Sequence, residues 1–318
     1  MHATPNSDTM MTGFSKQAHP LVSVIIAYYR QERFIAETVR SVKQQTYPNF
    51  EIIVVDDGSP LPARCVLPES NDVLLLRTEN RGCPAARNHG FRQSSGEYLV
   101  FLDSDDLLAP GALEAHVKAL SEHPAAALSF GAQRIIDEDG KVVRTAHICR
   151  PRKDYFLQLL EGNPIGCPGA AMIRRDAFLE AGLFDESLPI VEDYPLYLRL
   201  AQHHPFVWQS SCVVDYRFHK SSLSQDKERM LKGILNALDH VEAEGTLTAR
   251  QRRRLRHGRG RWMHELRPSK TFTYGLRGLY YRLRGMLGIP LRTYFGFAPD
   301  VRKAARMGRS LPRRPGSP

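Results

Sequence analysis

The residues with the most chemistry in this 318-residue chain are Asp103-Ser104-Asp105-Asp106, set directly after the apolar run Tyr98-Leu99-Val100-Phe101-Leu102. A short apolar run ended by acids reads as a buried strand reaching solvent at its carboxyl end. That is the edge at which open α/β sheets bind ligands. Three carboxylates gathered there repel one another unless a cation sits among them. Their hard oxygens suit Mg2+ or Mn2+, which in turn suit a diphosphate. A helix N-cap is the competing reading, since Asp favours that position and the residues from Leu107 have helical character.

Four other clusters could do chemistry. Val54-Val55-Asp56-Asp57-Gly58-Ser59 is a second strand end, with paired carboxylates that could meet a base edge or ribose, or merely satisfy their own turn. Within Asn80-Arg81-Gly82-Cys83-Pro84-Ala85-Ala86-Arg87-Asn88-His89-Gly90, small residues let the backbone approach a ligand. Arg87 supplies a fixed cation there, for phosphate or for the nearby acids. In Val191-Glu192-Asp193-Tyr194-Pro195, the proline suits a first helical turn and puts Asp193 at or near the N-cap. Its carboxylate either caps the helix or acts as a general base. Tyr216-Arg217-Phe218-His219 follows a further strand, and His219 is either structural or a late contact to metal or phosphate. No GxGxxG follows the first strand and no GxxxxGK[ST] occurs, which weakens the dehydrogenase and P-loop ATPase readings.

The elements that position these groups follow from patterning. Leu21-Val22-Ser23-Val24-Ile25-Ile26-Ala27 and Glu51-Ile52-Ile53-Val54-Val55 are continuous apolar runs, as expected of strands buried on both faces. Strands at 73–76 and 98–102 and helices over 32–45 and 85–93 complete a β-α-β-β-α-β alternation, which implies a mostly parallel sheet with helices on both faces. Beyond it the spacing predicts helices over 111–122, 172–182 and 193–202. Strands are predicted at 125–130 and 207–218, with a hairpin over 135–143 turning at Asp139-Gly140. The five cysteines lack CxxC spacing and are odd in number, which argues against zinc and a disulfide framework and for a reducing cytoplasm.

In this order the motifs resemble a family 2 glycosyltransferase of the GT-A fold, over about residues 20–224. The likeness rests on Val22-Ser23-Val24-Ile25-Ile26, Gln44-Gln45-Thr46-Tyr47, Asp56-Asp57-Gly58-Ser59, Ala86-Arg87-Asn88, Asp103-Ser104-Asp105-Asp106, Phe184-Asp185-Glu186 and Glu192-Asp193. The resemblance implies an inverting, metal-dependent transfer of sugar from a nucleoside diphosphate donor, UDP-linked, to a hydroxyl of a cell-envelope, polysaccharide or lipid-linked glycan. It implies that Asp57 accepts the N3–H of uracil or thymine, with Asp56 in support, and that Ala27, Arg87, Asp103 and Ser104 line the nucleotide. Asp103 and Asp105 match the DxD motif, which with His219 implies a metal set of Asp103, Asp105 and His219 for Mg2+ or Mn2+, Asp105 being the direct ligand and Asp103 closer to the ribose. Asp193 matches the catalytic base. Pro84 and Pro195 depart from the family pattern and leave the acceptor class open. The rivals are a non-catalytic nucleotide-sugar scaffold and a sugar nucleotidyltransferase, though the phosphate loop of the latter is missing.

Residues 21–224 are expected to form the transferase domain, 21–110 its nucleotide half and 111–224 its acceptor half. Residues 1–20 read as a flexible leader, 225–308 as a basic helical extension and 309–318 as a disordered tail. The net charge of +10 divides unevenly: residues 226–318 carry 22 Lys and Arg against 7 Asp and Glu, while the remainder is slightly acidic. Arginines at 250–256 and the amphipathic pattern over 271–287 suit a helix on the inner, anionic face of the cell membrane. A solvated tail packed on the domain is the alternative. No recognised nucleic-acid module is present, so nucleic acid is not an expected partner.

Overall fold

β1 (Val22–Tyr28), β2 (Phe50–Asp57), β3 (Val73–Thr78) and β4 (Tyr98–Asp103) form a parallel unit in the order β3-β2-β1-β4. The computed structural model describes residues 19–145, 154–188, 190–220, 222–245 and 247–266. The pattern over 271–287, the tail from 309 and all but two residues of the leader lie outside them. β1 is sealed on both faces because its apolar side chains alternate. Val22, Val24 and Ile26 enter one core and Ile25 the other. α1 (Ile35–Lys43) packs on the first face, and α3 (Cys83–Arg92) packs on the second after the short α2 (Ala63–Val66).

Past β4 the chain forms β5 (Leu107–Leu108), α4 (Ala112–Glu122), β6 (Leu128–Ile136) and β7 (Val142–Thr145). Then come α5 (Tyr155–Leu159), β8 (Ala171–Arg174), α6 (Arg175–Glu180), α7 (Asp193–His203) and β9 (Phe206–Arg217). The described strands make one sheet ordered β3-β2-β1-β4-β8-β6-β9-β5, with β7 on β6. β8 runs antiparallel to β4 and β6, while β6 and β9 are parallel, so the later half of the sheet is mixed.

Two expectations are corrected here. Residues 171–174 are a strand, and the helix expected from 172 begins at Arg175. A short apolar stretch such as Ala171-Met172-Ile173 reads equally as strand or helix until a sheet edge claims it. Likewise Leu107–Leu108 pairs with β9, and the next helix starts only at Ala112, so Asp103–Asp106 does not cap a helix.

α8 (Lys227–Ala243) and α9 (Ala249–Leu266) follow the sheet. Ile234, Ala237, Leu238, Val241, Leu255 and Trp262 join the same core as β1 and α7. α9 seats against α5 through Gly258, where a Cβ would lie 1.9 Å from the Leu160 carbonyl oxygen. Arg254 and His257 both reach Glu161, at 2.6 and 3.2 Å. The packed-tail reading therefore describes residues 249–266, while Arg250, Arg252, Arg253 and Arg256 stay exposed. Among the described residues no helix is long and apolar enough to cross a membrane. The four described cysteines are free.

Candidate functional site

Sheet register builds the floor of the site. Ala27 lies between Val55 and Asp103, and Tyr28 pairs with Asp56, so the acids ending β2 and β4 flank the end of β1 along one edge. Asp56 is 2% exposed and turned inward. Its oxygens accept the N–H groups of Ser59 (2.8 Å) and Ala63 (2.9 Å), and Arg77 at 2.5 Å. Asp57 accepts the N–H groups of Arg81 (2.9 Å) and Gly82 (2.8 Å). Gly82 has φ +92°, a backbone state that suits glycine and that turns this N–H onto the carboxylate. A carboxylate offers about four lone-pair directions, so Asp57 retains acceptor capacity for a ligand.

Arg87 organises the centre. α3 carries it inward until it is 1% exposed. One arm of its guanidinium donates to Asp103 at 2.5 Å and the other to Glu192. Burial disfavours its charge, but Cys83, Glu192, Asp103 and Asp193 more than restore it, and its pKa is raised. Loss of water pushes the Asp103 carboxyl up to about 6, with Arg87 opposing and Asp105 and Glu192 adding. Asn88, next on α3, donates to the carbonyl of Phe184 (2.9 Å) and to Glu186 (3.1 Å), fixing the Phe184-Asp185-Glu186 segment.

Asp193 opens α7 and is 7% exposed. Burial and the adjacent Glu192 push its carboxyl up to about 8, against the pull of Arg87. The N-cap position belongs to Glu192, whose side chain makes no capping bond. Before it, Val191 holds φ +56°, a strained state for a β-branched residue that costs about 1–3 kcal/mol. The strained turn is backed by α8, where a Cβ on Gly233 would come within 2.3 Å of Val191 Cγ2. Behind Asp193, Tyr194 donates to the Leu159 carbonyl and meets the Trp262 ring edge-on at 6.2 Å.

At the other side of the Asp cluster, Asp105 Oδ2 accepts His219 Nε2–H at 2.8 Å and Gln31 Nε2 at 3.3 Å. Ser104 is buried, its carbonyl bonded by Thr38 Oγ1 at 3.0 Å. Asp106 is fully buried, and its carboxyl lies well above the usual range because of burial and the neighbouring Asp105 and Asp103. The expected metal set of Asp103, Asp105 and His219 does not converge as three donors among the described residues, and one Asp103 oxygen is taken by Arg87. Asp105 and His219 do converge. One carboxylate beside a diphosphate fits the way Mg2+-type ions bind at phosphate sites, so Asp105 suits a cation, and His219 could join it by giving up the Nε2 proton it directs at Asp105.

The structure thus joins Ala27, Arg87, Asp103 and, through Glu192, Asp193, with Asp105 and His219 alongside and Asp56 and Asp57 on the adjacent strand. Sequence reasoning missed Gln31, Glu192 as Arg87's second partner, Arg77 on Asp56, and Arg217. Only position could have flagged three of them: Arg77 and Arg217 stand at strand ends and Glu192 beside Asp193, whereas nothing near Gln31 points to it.

The model for glycosyl transferase family 2 matches residues 23–182. The Escherichia coli UDP-Glc:alpha-D-GlcNAc-diphosphoundecaprenol beta-1,3-glucosyltransferase WfgD is 31% identical over 230 residues, which cover 70% of this chain and 87% of that one. An uncharacterized glycosyltransferase of Rickettsia conorii is 32% identical over 216 residues, covering 65% of this chain. The match takes in 35% of the Rickettsia protein, so this chain spans about a third of that relative's length. S. aureus TarS 1-349 in complex with UDP-GlcNAc superposes with TM-score 0.59 and 18% identity, over 77% of this chain and 73% of that one. The mannosyltransferase PcManGT from Pyrobaculum calidifontis, in complex with GDP-Man and Mn2+, gives 0.55 and 17%, over 87% and 83%. At these identities the likeness to the two solved structures is one of fold.

Proposed function

Since the chain belongs to glycosyl transferase family 2, we propose that it moves a sugar from a nucleoside diphosphate, UDP-linked, to a glycan hydroxyl with inversion at the anomeric carbon. The observation that carries this reading is the Arg87 fork, which ties the donor-side Asp103 to the Glu192-Asp193 pair. It sets a buried carboxyl with pKa near 8 beside the strand ends where a nucleotide would lie. A base with pKa near the working pH is the efficient one.

The pyrimidine would rest on Asp57 through its free lone pairs, with Ala27 leaving room beside it. Asp105 and His219 would hold a divalent cation, which when bound stabilises the negative charge left on the departing diphosphate. Asp193 takes the proton of the acceptor hydroxyl as that oxygen attacks the face opposite the leaving group. Oxocarbenium character develops as in glycoside hydrolysis. A single displacement inverts the centre.

The acceptor class follows the E. coli relative, whose name specifies a diphosphoundecaprenol-linked sugar. A lipid-linked or cell-envelope glycan is the proposed acceptor here. Peripheral attachment to an anionic membrane, through the exposed arginines of α9 and the basic residues beyond, would bring the chain to it. Cosedimentation with anionic but not neutral vesicles checks that step.

Thermal shift with UDP, dTDP, GDP and CMP, each with and without Mn2+, tests the donor reading. A ligand at 100 times its Kd stabilises by about 2.7 kcal/mol. A Mn2+-dependent shift with UDP that is lost in Asp105→Ala is expected. A flat panel overturns the reading.

A further inference from the structure

Arg217 ends β9 with its side chain fully buried, and every arm of it is used. Nε donates to the Asp105 carbonyl at 2.8 Å. Nη1 donates to the carbonyls of Asp137 (3.2 Å) and Glu138 (3.1 Å) in the β6–β7 turn. Nη2 pairs with Glu37 of α1 at 2.7 Å. The Arg217 N–H donates to Asp106 Oδ1 at 2.8 Å, and the guanidinium lies 4.8 Å from the Phe34 ring. That same ring is 5.1 Å from the ring of His219.

We propose that Arg217 is a positioning residue for the diphosphate end of the site, gripping Asp105 by its main chain while His219, two residues on, grips it by its side chain. The inference rests on the reading of Asp105 and His219 as the cation-binding pair.

Three features argue for placement over mere filling of space. Burying a guanidinium costs several kcal/mol, and apolar replacement of a buried ion pair is often neutral or stabilising, so stability alone does not call for arginine here. The segments it joins, the Ser104–Asp106 loop and the β6–β7 turn, lie outside the regular ladders, so its bonds fix backbone that the sheet leaves unset. The planar fork also matters: five donors in fixed directions can serve three elements at once, which a lysine ammonium cannot. The two-residue spacing on one strand end then carries any shift of Arg217 directly to His219. Asp105 would be held at both ends before a ligand arrives.

Calorimetry of UDP binding with and without Mn2+, alongside apo melting, tests this on the full chain with Arg217→Lys and Asp105→Ala. In Arg217→Lys, metal-free UDP affinity should stay within about twofold of wild type, while the gain conferred by Mn2+ falls at least about tenfold. A lower melting temperature with the Mn2+ gain intact would show a purely structural residue and overturn the inference. If wild type shows no Mn2+ gain, or Asp105→Ala keeps it, the reading of the cation pair fails and the inference with it. A gain lost in Asp105→Ala but kept in Arg217→Lys sinks the inference alone. Should Arg217→Lys not fold, Glu37→Gln, which weakens only the Nη2 contact, should cut the gain about threefold, and an unchanged gain counts against the proposal.

Discussion

The strand ends of β1–β4 and the turn that launches α7 both present carboxylates, yet they hold them in opposite ways. Asp56 and Asp57 are each gripped by two backbone N–H groups, with Arg77 added on Asp56, so their positions are fixed before any ligand arrives. Asp193 sits in a buried, acid-crowded pocket after a strained Val191, and its carboxyl is pushed up to about 8. Recognition of a base needs charged acceptors in fixed places. Proton removal needs a carboxyl reluctant to ionise. All three carboxylates are buried, and they differ because backbone N–H groups stand in for water around Asp56 and Asp57, while Glu192 crowds Asp193.

The sharpest way to break this contrast is Asp193→Asn. Turnover should fall by about 10²–10⁴, the span of general acid–base contributions, with UDP affinity in calorimetry unchanged. A parallel loss of UDP affinity would place Asp193 on the donor side and erase the division. Next is Arg87→Met, which removes the charge joining the halves and leaves Asp103 and Glu192 facing each other. Breaking such a buried pair should cost about 3–5 kcal/mol in urea unfolding, with both donor affinity and turnover reduced.

Gly258→Ala acts on one half only. Its Cβ would strike the Leu160 carbonyl oxygen, so α9 must lift. A loss of about 1–3 kcal/mol is expected, with amide exchange rising in α7 and unchanged in β1 and β2. The mildest probe is pH. The Asp193 carboxyl is raised from 3.8 to about 8, so kcat/KM should climb with pH and level off above about 8. Because the folded state holds that proton more tightly, its contribution to stability is present below pH 3.8 and lost as pH rises through about 8. The Asp193→Asn variant should lose both slopes.

The sequence carried β1 to β4 plainly. Apolar runs ending in Asp56 and Asp103 read as buried strands meeting solvent, which they are, and the parallel pairing of β1 with β4 puts Ala27 beside Asp103. It carried the second half poorly. Ala171–Arg174 and Leu107–Leu108 are too short for periodicity to decide, and their strand character comes from partners far away in sequence. The roles of Arg217 and Gln31 were hidden for a related reason. An isolated Arg or Gln has no period, and only tertiary contact reveals what it reaches. The N-cap and metal readings of Asp103-Ser104-Asp105-Asp106 looked alike in one dimension. The pairing of Leu107–Leu108 with β9 removes the N-cap reading, since no helix starts before Ala112.

The seating of Trp262 behind Tyr194 also orders events in time. β1 to β4, with the acids proposed to hold the nucleotide, are complete when Asp103 has been synthesised. The wall behind α7 waits for α9, about 70 residues after Asp193. At roughly 5–20 residues per second, that is a gap of about 4–15 s on the ribosome. During it the nascent chain has the proposed nucleotide cradle but no wall behind the proposed base, so an early-bound donor would meet a half-built partner for its sugar.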